Sequence, residues 1–98
     1  MNNLRQGFGI LVHPLGKYCG DFMKDMKHGV GTLILNDASS YHGEFQEGLF
    51  HGRGTFCERD GTVYVGDWFQ GLRHGDGFEV LGDGRLVLYV LRSIQSNI

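Results

Sequence analysis

HGVGT at residues 28–32, HGRGT at residues 51–55 and HGDGF at residues 74–78 contain one motif, His-Gly-x-Gly, three times at intervals of 23 residues. Three kinds of structure use glycine or histidine patterns of this sort: a phosphate-binding loop, a metal site and a structural repeat. The residues on either side of the motif decide between them.

Many other positions recur at the same interval, which is the signature of a repeat architecture. The aromatic and acidic positions are Tyr18, Tyr41 and Tyr64; Phe22, Phe45 and Trp68; and Asp21, Glu44 and Asp67. The glycine positions are Gly20, Gly43 and Gly66; Gly29, Gly52 and Gly75; and Gly31, Gly54 and Gly77. We therefore divide a single domain, 1–98, into a partial unit 2–17, three units 18–40, 41–63 and 64–86, and a C-terminal cap 87–98.

Within a unit the apolar pattern has the two-residue period of a β-strand. Tyr41, Gly43 and Phe45 share one face of a strand, and Gly54 and Phe56 share one face of the next. Loops rich in glycine separate these segments, so each unit is predicted to form two short antiparallel strands. The expected fold is all-β, with about seven or eight strands in one antiparallel meander.

The glycines inside the strands are predicted to be structural. Interior glycine weakens a strand, so its repetition requires a reason. A bulky ring such as Tyr41 or Phe45 needs a bare stretch of neighbouring backbone to lie across, and Gly31, Gly54 and their equivalents would provide it.

Composition excludes several classes of function. The 98 residues carry a formal charge of -2 with no basic cluster, which argues against nucleic acid as a partner. Two distant cysteines, Cys19 and Cys57, form no disulfide framework or zinc motif. The N-terminus lacks a signal-peptide core, and no apolar run approaches the length of a membrane helix. We expect a cytoplasmic protein.

YHGEFQEGLFHGRGTF at residues 41–56 and YVGDWFQGLRHGDGF at residues 64–78 resemble MORN repeats (membrane occupation and recognition nexus). The family pattern is Tyr-x-Gly-x-Trp/Phe, then Gly, then His/Asn-Gly-x-Gly. The first unit departs from it at Asp25, where glycine is usual. The resemblance implies an elongated, curved single-layer sheet of stacked β-hairpins. It also implies a scaffold or adaptor role, in a cytoskeletal, ciliary or peripheral membrane setting, and not catalysis.

No catalytic residue, cofactor or metal is expected. The glycines of the motif continue into strand-like TLIL and TFCE, whereas a phosphate loop continues into a helix. Equivalent residues in successive hairpins should lie ~10 Å apart, too far for His28, His51 and His74 to share one metal ion. The acidic positions are expected to form a solvated row, partly paired with basic neighbours. Those neighbours are Lys24, Arg53 and Arg73.

Binding is predicted to use the face on which the aromatic residues repeat. Its candidate residues, for binding or for the core, are Tyr18, Phe22, Tyr41, Phe45, Tyr64 and Trp68. A long apolar groove suits an amphipathic helix as partner. Two alternatives remain open: a membrane phospholipid ligand, and an accessory domain cut from a longer enzyme, since the chain opens in the middle of a unit.

The C-terminal segment is predicted to be a last strand followed by a short helix. Residues 85–91 form the most apolar stretch of the chain, and Leu88, Leu91, Ile94 and Ile98 recur at helical spacing. The edge of this last strand is expected either to be covered by residues 94–98 or to bind a neighbouring subunit.

Overall fold

The computed structural model describes residues 4–91, which form one open sheet of eight strands. In chain order the strands are β1 (Gly7–His13), β2 (Gly16–Met23), β3 (Met26–Leu35), β4 (Ser40–Gln46), β5 (Leu49–Cys57), β6 (Val63–Phe69), β7 (Leu72–Val80) and β8 (Leu86–Leu91). Each strand pairs antiparallel with the next. The all-β, single-layer meander of stacked hairpins is confirmed. The predicted C-terminal helix lies outside the described residues.

Two kinds of turn alternate along the sheet. β2–β3, β4–β5 and β6–β7 are joined by two-residue turns in which both residues have positive φ, as in type I′ hairpins. Glu47 and Gly48, for example, have φ angles of 51° and 85°. Asp25 adopts a φ of 70° at the position that Gly48 fills in the next unit, so the turn keeps its shape without glycine.

A row of glycines crosses seven of the eight strands at right angles to them. Register pairs each member with the next, and we call the set the glycine row: Gly9, Gly20, Gly31, Gly43, Gly54, Gly66 and Gly77. It ends at Tyr89 of β8, the cross-strand partner of Gly77. The row lies on the face that also carries the repeated aromatic residues, here called the aromatic face.

The core is a row of rings on the aromatic face, in which the three tyrosine rings lie over glycines of the glycine row. The six buried aromatic residues are 1–7% exposed: Tyr18, Phe22, Tyr41, Phe45, Tyr64 and Trp68. Adjacent rings meet edge to face with centroids 5.1–5.6 Å apart. This is a favourable geometry for aromatic pairs, so the rings of one sheet cover one another without a second layer.

The opposite face, here called the reverse face, has polar side chains at its centre and apolar ones at both ends, with Val30 and Ile34 of β3 also exposed on it. Thr32, His42 and Thr55 are cross-strand neighbours at its centre, and the Thr32 hydroxyl lies 2.6 Å from His42 Nδ1. The apolar ends carry Phe8, Ile10 and Val12 on β1, and Phe78, Val80, Leu86 and Leu88 on β7 and β8.

Candidate interaction surface

The His-Gly-x-Gly motif combines a glycine in the left-handed backbone conformation with a second glycine that leaves room for a ring above the strand. In the middle unit Gly52 has a φ of 61°, and a Glu44 carboxylate oxygen accepts a hydrogen bond from the N–H of Arg53 at 3.2 Å. Gly54, two residues on, lies under the ring of Tyr41: a Cβ at this position would lie 2.5 Å from Tyr41 Cε1. The motif therefore shapes the backbone around a buried tyrosine.

The predicted structural glycines fall into these same two sets. Gly29, Gly52 and Gly75 have φ angles of 62°, 61° and 65°. The others belong to the glycine row: Gly20, Gly31, Gly43, Gly54, Gly66 and Gly77. The ring that lies across Gly31, Gly54 and Gly77 belongs in each case to the tyrosine of the preceding strand and not to Phe45 or its equivalents.

Two of the three motif histidines pack against a neighbouring aromatic ring. The rings of His51 and His74 lie 5.3 Å and 5.8 Å from the ring of Phe69. Among residues 4–91 no group of three or more His, Cys, Asp or Glu side chains is arranged to hold a metal ion. Cys19 and Cys57 are free thiols of intermediate exposure.

The acidic row keeps part of the expected arrangement, since Glu44 is exposed and Asp67 pairs with Arg53, and it also binds the main chain. Asp21 and Glu44 accept main-chain hydrogen bonds from Val30 and Arg53, at 3.4 Å and 3.2 Å. Asp67 instead forms an ion pair with Arg53 at 3.2 Å. Asp21 and Glu44 therefore hold the backbone of the next strand. Arg73, which was expected to pair with it, points to the aromatic face, where it meets Glu79.

All six aromatic residues predicted for binding or for the core lie in the core. Burial raises the pKa of Tyr18 and Tyr41 to about 12, since their hydroxyl groups are removed from water. These hydroxyls donate to the carbonyl oxygens of Asp21 and Glu44 at 2.7 Å and 2.9 Å. A partner on this face would first meet the apolar side chains beside the rings.

Besides Phe50, which stacks on the Tyr41 ring, and Tyr89, the accessible apolar surface on the aromatic face includes a line of half-buried side chains next to the tyrosines. We call Leu11, Leu33 and Phe56 the apolar shelf; they lie on β1, β3 and β5 opposite tyrosines of the intervening strands. A depression of about 230 Å³ opens beside Leu11 and Leu33, with Leu35 and Lys27 also in its wall. A second one, of about 520 Å³, opens beside Phe56.

The rim of the second depression is mainly acidic. Its lining residues besides Phe56 are Asp37, Ser39, Glu58, Arg59 and Asp60. Asp37 and Asp60 belong to the turns after β3 and β5, where each carboxylate accepts the N–H of the residue two positions on, at 2.9 Å. The shelf thus has an apolar floor with three carboxylates and one guanidinium along this edge.

The shelf stops in the third unit, at a buried polar cluster that sequence reasoning missed. Glu79 takes the place that Leu33 and Phe56 hold in the other units, and it is 7% exposed. The Tyr89 hydroxyl donates to its carboxylate at 2.7 Å, and Arg73 forms an ion pair with it at 3.3 Å. The Arg73 guanidinium also lies 4.0 Å from the centre of the Tyr64 ring. This cluster could have been found by aligning the units, because Glu79 is a carboxylate at a position that is apolar in the other two.

Comparison with protein families agrees with this architecture. The family model described as MORN repeat matches residues 1–14, 18–39, 41–63 and 64–84. The chain belongs to the MORN-repeat family. MORN repeats are commonly involved in membrane or protein interaction. None of the curated proteins compared with this MORN chain matches it. Within residues 4–91, no helix has the length and apolar character needed to span a bilayer.

Proposed function

We propose that this MORN domain is a non-catalytic interaction scaffold that binds an amphipathic partner helix along the apolar shelf. The observation that carries the proposal is the line of half-buried apolar side chains, Leu11, Leu33 and Phe56, that borders a buried aromatic core. A helix laid across the strands would cover these side chains, which the single sheet leaves partly open to solvent.

The spacing of the shelf suits a helix. Its members lie on alternate strands, so they stand ~10 Å apart at about 4.8 Å per strand. Seven residues of α-helix advance ~10.5 Å at 1.5 Å per residue. Apolar residues spaced by seven along a partner helix would therefore meet successive members of the shelf, with residues at i+3 or i+4 filling the intervals.

Charge favours a basic partner helix over an acidic one. One edge of the shelf carries three carboxylates, those of Asp37, Glu58 and Asp60, and one guanidinium, that of Arg59. Hydrogen bonds from the hydroxyl and N–H of Ser39 lower the pKa of Asp37, and the N–H of Thr62 does the same for Asp60. These two carboxylates therefore remain charged well below neutral pH and would attract lysine or arginine on the partner.

The same charges disfavour a phospholipid surface as the ligand of the shelf. Anionic lipids attract clusters of basic residues, and this edge is predominantly acidic. We place the scaffold in the cytoplasm, in a cytoskeletal, ciliary or peripheral membrane assembly. Membrane phospholipid remains the alternative ligand, and an accessory role in a longer enzyme the alternative setting.

A model peptide tests the proposal. Its sequence repeats leucine every seven residues, with leucine also at i+4 and lysine on the flanks. Isothermal titration calorimetry should detect binding to the wild-type chain and none to a scrambled peptide of the same composition. Leu33→Lys should weaken binding at least tenfold, because it places a cation in the apolar floor.

Ile34→Lys is the matched control, since Ile34 is the next residue but faces the reverse side of β3. It should bind the peptide as the wild type does. Equal effects of the two substitutions would contradict the shelf as the binding site, provided thermal unfolding shows both variants folded. Flotation with phosphatidylserine vesicles tests the lipid alternative. A wild-type chain that floats with the vesicles but shows no binding to the peptide in calorimetry would overturn a helix as the ligand.

A further inference from the structure

Both outer strands of the sheet present an uncharged edge. β1 and β8 contain no Asp, Glu, Lys, Arg or Pro. No strand of the described residues pairs with the outer edge of either one. Natural sheets usually protect such edges with charges, prolines or bulges. The reverse-face side chains of these strands are among the most exposed apolar groups: Phe8 71%, Ile10 61%, Val12 76%, Leu86 61% and Leu88 73%.

The two edges differ in kind, and the difference makes them complementary. Along the sheet, strands that carry the repeated tyrosine alternate with strands that carry the His-Gly-x-Gly glycines. β1 is of the glycine type, with Gly7 and Gly9. β8 occupies a tyrosine-type position, and its Val87 stands 23 residues after Tyr64. A glycine-type strand is therefore the next strand that the pattern requires after β8.

We propose that a second copy of this chain supplies that strand, so that β8 of one copy pairs antiparallel with β1 of the next. Both copies then keep the same orientation, and the aromatic face continues from one to the other. The inference concerns the ends of the sheet and does not depend on what the apolar shelf binds.

The internal register fixes how the two copies would meet. Tyr18 and Tyr41 are paired with Leu33 and Phe56 of the following strand. The equivalent pair across the junction is Val87 with Leu11. That register sets Leu88 opposite Ile10, and Leu86 opposite Val12, on the reverse face. Cross-strand apolar pairs of this kind stabilise sheets, and here they would cover the most exposed side chains of both edges.

The contact is head to tail and open, not a closed dimer. Two-fold pairing of β8 with β8, or of β1 with β1, would leave the other edge of each copy bare. Head-to-tail pairing covers both edges and leaves free ends only at the termini of the assembly. A pair of strand edges buries less than the roughly 1,600 Å² of a standard stable interface, so association should be weak and concentration-dependent.

Sedimentation velocity over a range of concentrations tests the proposal. The wild-type chain should grow beyond the mass of a dimer as concentration rises. Ile10→Lys blocks the β1 edge and Leu88→Lys blocks the β8 edge, so each variant alone should stay monomeric. Their mixture retains one intact β8 edge and one intact β1 edge, and it should form a one-to-one dimer that grows no further.

Ile34→Lys is the control, because it adds a lysine to an interior strand of the same reverse face; it should assemble as the wild type does. Circular dichroism verifies that every variant remains folded. A wild-type chain that stays monomeric at all concentrations overturns the proposal. So does an Ile10→Lys chain that still dimerises, which would indicate β8–β8 pairing, or a mixture that contains only monomers.

Discussion

Tyr18, Tyr41 and Tyr64 occupy equivalent positions, but within residues 4–91 only two of their hydroxyl groups have hydrogen-bond partners. Tyr18 and Tyr41 donate to main-chain carbonyl oxygens three residues further on. The Tyr64 hydroxyl is buried and has no hydrogen-bond partner among the described residues. Its ring is covered by Arg73, which belongs to the polar cluster around Glu79. The third unit has thus exchanged a tyrosine hydrogen bond for a different set of contacts.

The two kinds of tyrosine should respond differently to loss of the hydroxyl. Tyr41→Phe should lower the free energy of unfolding by about 1 kcal/mol, since it removes a hydrogen bond and leaves the Glu44 carbonyl without that donor. Tyr64→Phe should be neutral or slightly stabilising, because it removes an unpaired buried hydroxyl. Urea unfolding at equilibrium measures both, and a larger loss for Tyr64→Phe would contradict the assignment.

Gly54 should tolerate no side chain, because the Tyr41 ring occupies the space where its Cβ would be. Gly54→Val should destabilise the protein by about 3 kcal/mol or more, at or above the upper end of typical overpacking costs. Thr55→Val is the control: it places a valine at the next residue, which faces the reverse side of the sheet. It should change the free energy of unfolding by less than about 0.5 kcal/mol. Thermal unfolding of the pair measures the difference, and similar losses would disprove the steric role of the glycine row.

At the scale of elements, the aspartates between units act as turn caps. Asp37, Asp60 and Asp83 each accept a hydrogen bond from the N–H of the residue two positions on. Such turns mimic a main-chain turn through the side chain. They hold the connections after β3, β5 and β7. The first unit keeps this cap even though its turn, NDAS, lacks the glycine found in the other two.

The caps predict a loss of stability in acid. The folded-state pKa values of Asp37 and Asp60 are lowered, so their carboxylates stabilise the fold above the unfolded pKa of about 3.9. That contribution is lost as pH falls from about 4 through the folded values. Asp37→Asn combined with Asp60→Asn keeps an oxygen acceptor without titrating. The melting temperature of this double variant should fall less than that of the wild type between pH 5 and pH 2.5; equal falls would contradict the prediction.

The repeat predicted the strands because both are periodic, but it could not predict how the rings lie. Tyr41 and Phe45 share a face of one strand, and the sequence does not show which of them covers Gly54. The structure selects Tyr41, whose hydroxyl reaches the Glu44 carbonyl from that position. Nor does the period identify the burial of Glu79, because this depends on Arg73 and on Tyr89, which replaces a repeated glycine; the two come together with Glu79 only in the fold.

At the scale of the whole molecule, extensive contacts among the described strands join only neighbours, so each unit depends on the units beside it. Ser40 precedes Tyr41 as Val63 precedes Tyr64, and the register is the same on both sides of a unit. A complete unit is therefore an interchangeable segment of the sheet.

Removal of residues 41–63 should leave a folded, six-stranded sheet. Tyr64 would take the place of Tyr41 opposite Leu33, and the particle should shorten by ~10 Å along the sheet. Small-angle scattering and circular dichroism measure length and fold. Removal of residues 41–62 is the control, because a shift of one residue turns every side chain of the following strand to the wrong face. If both deletions fold equally well, register does not determine this architecture.

The edge-to-face row of rings also determines the fluorescence of the protein. Trp68 is the single tryptophan, and the Tyr41 and Tyr64 rings lie 5.6 Å and 5.3 Å from it. At such separations an excited tyrosine transfers its energy to the indole before it can emit. The native protein should therefore emit almost entirely as tryptophan even when tyrosine absorbs the light. Tyrosine emission would then mark the loss of the ring row, and a single chromophore reports on the integrity of two repeat units.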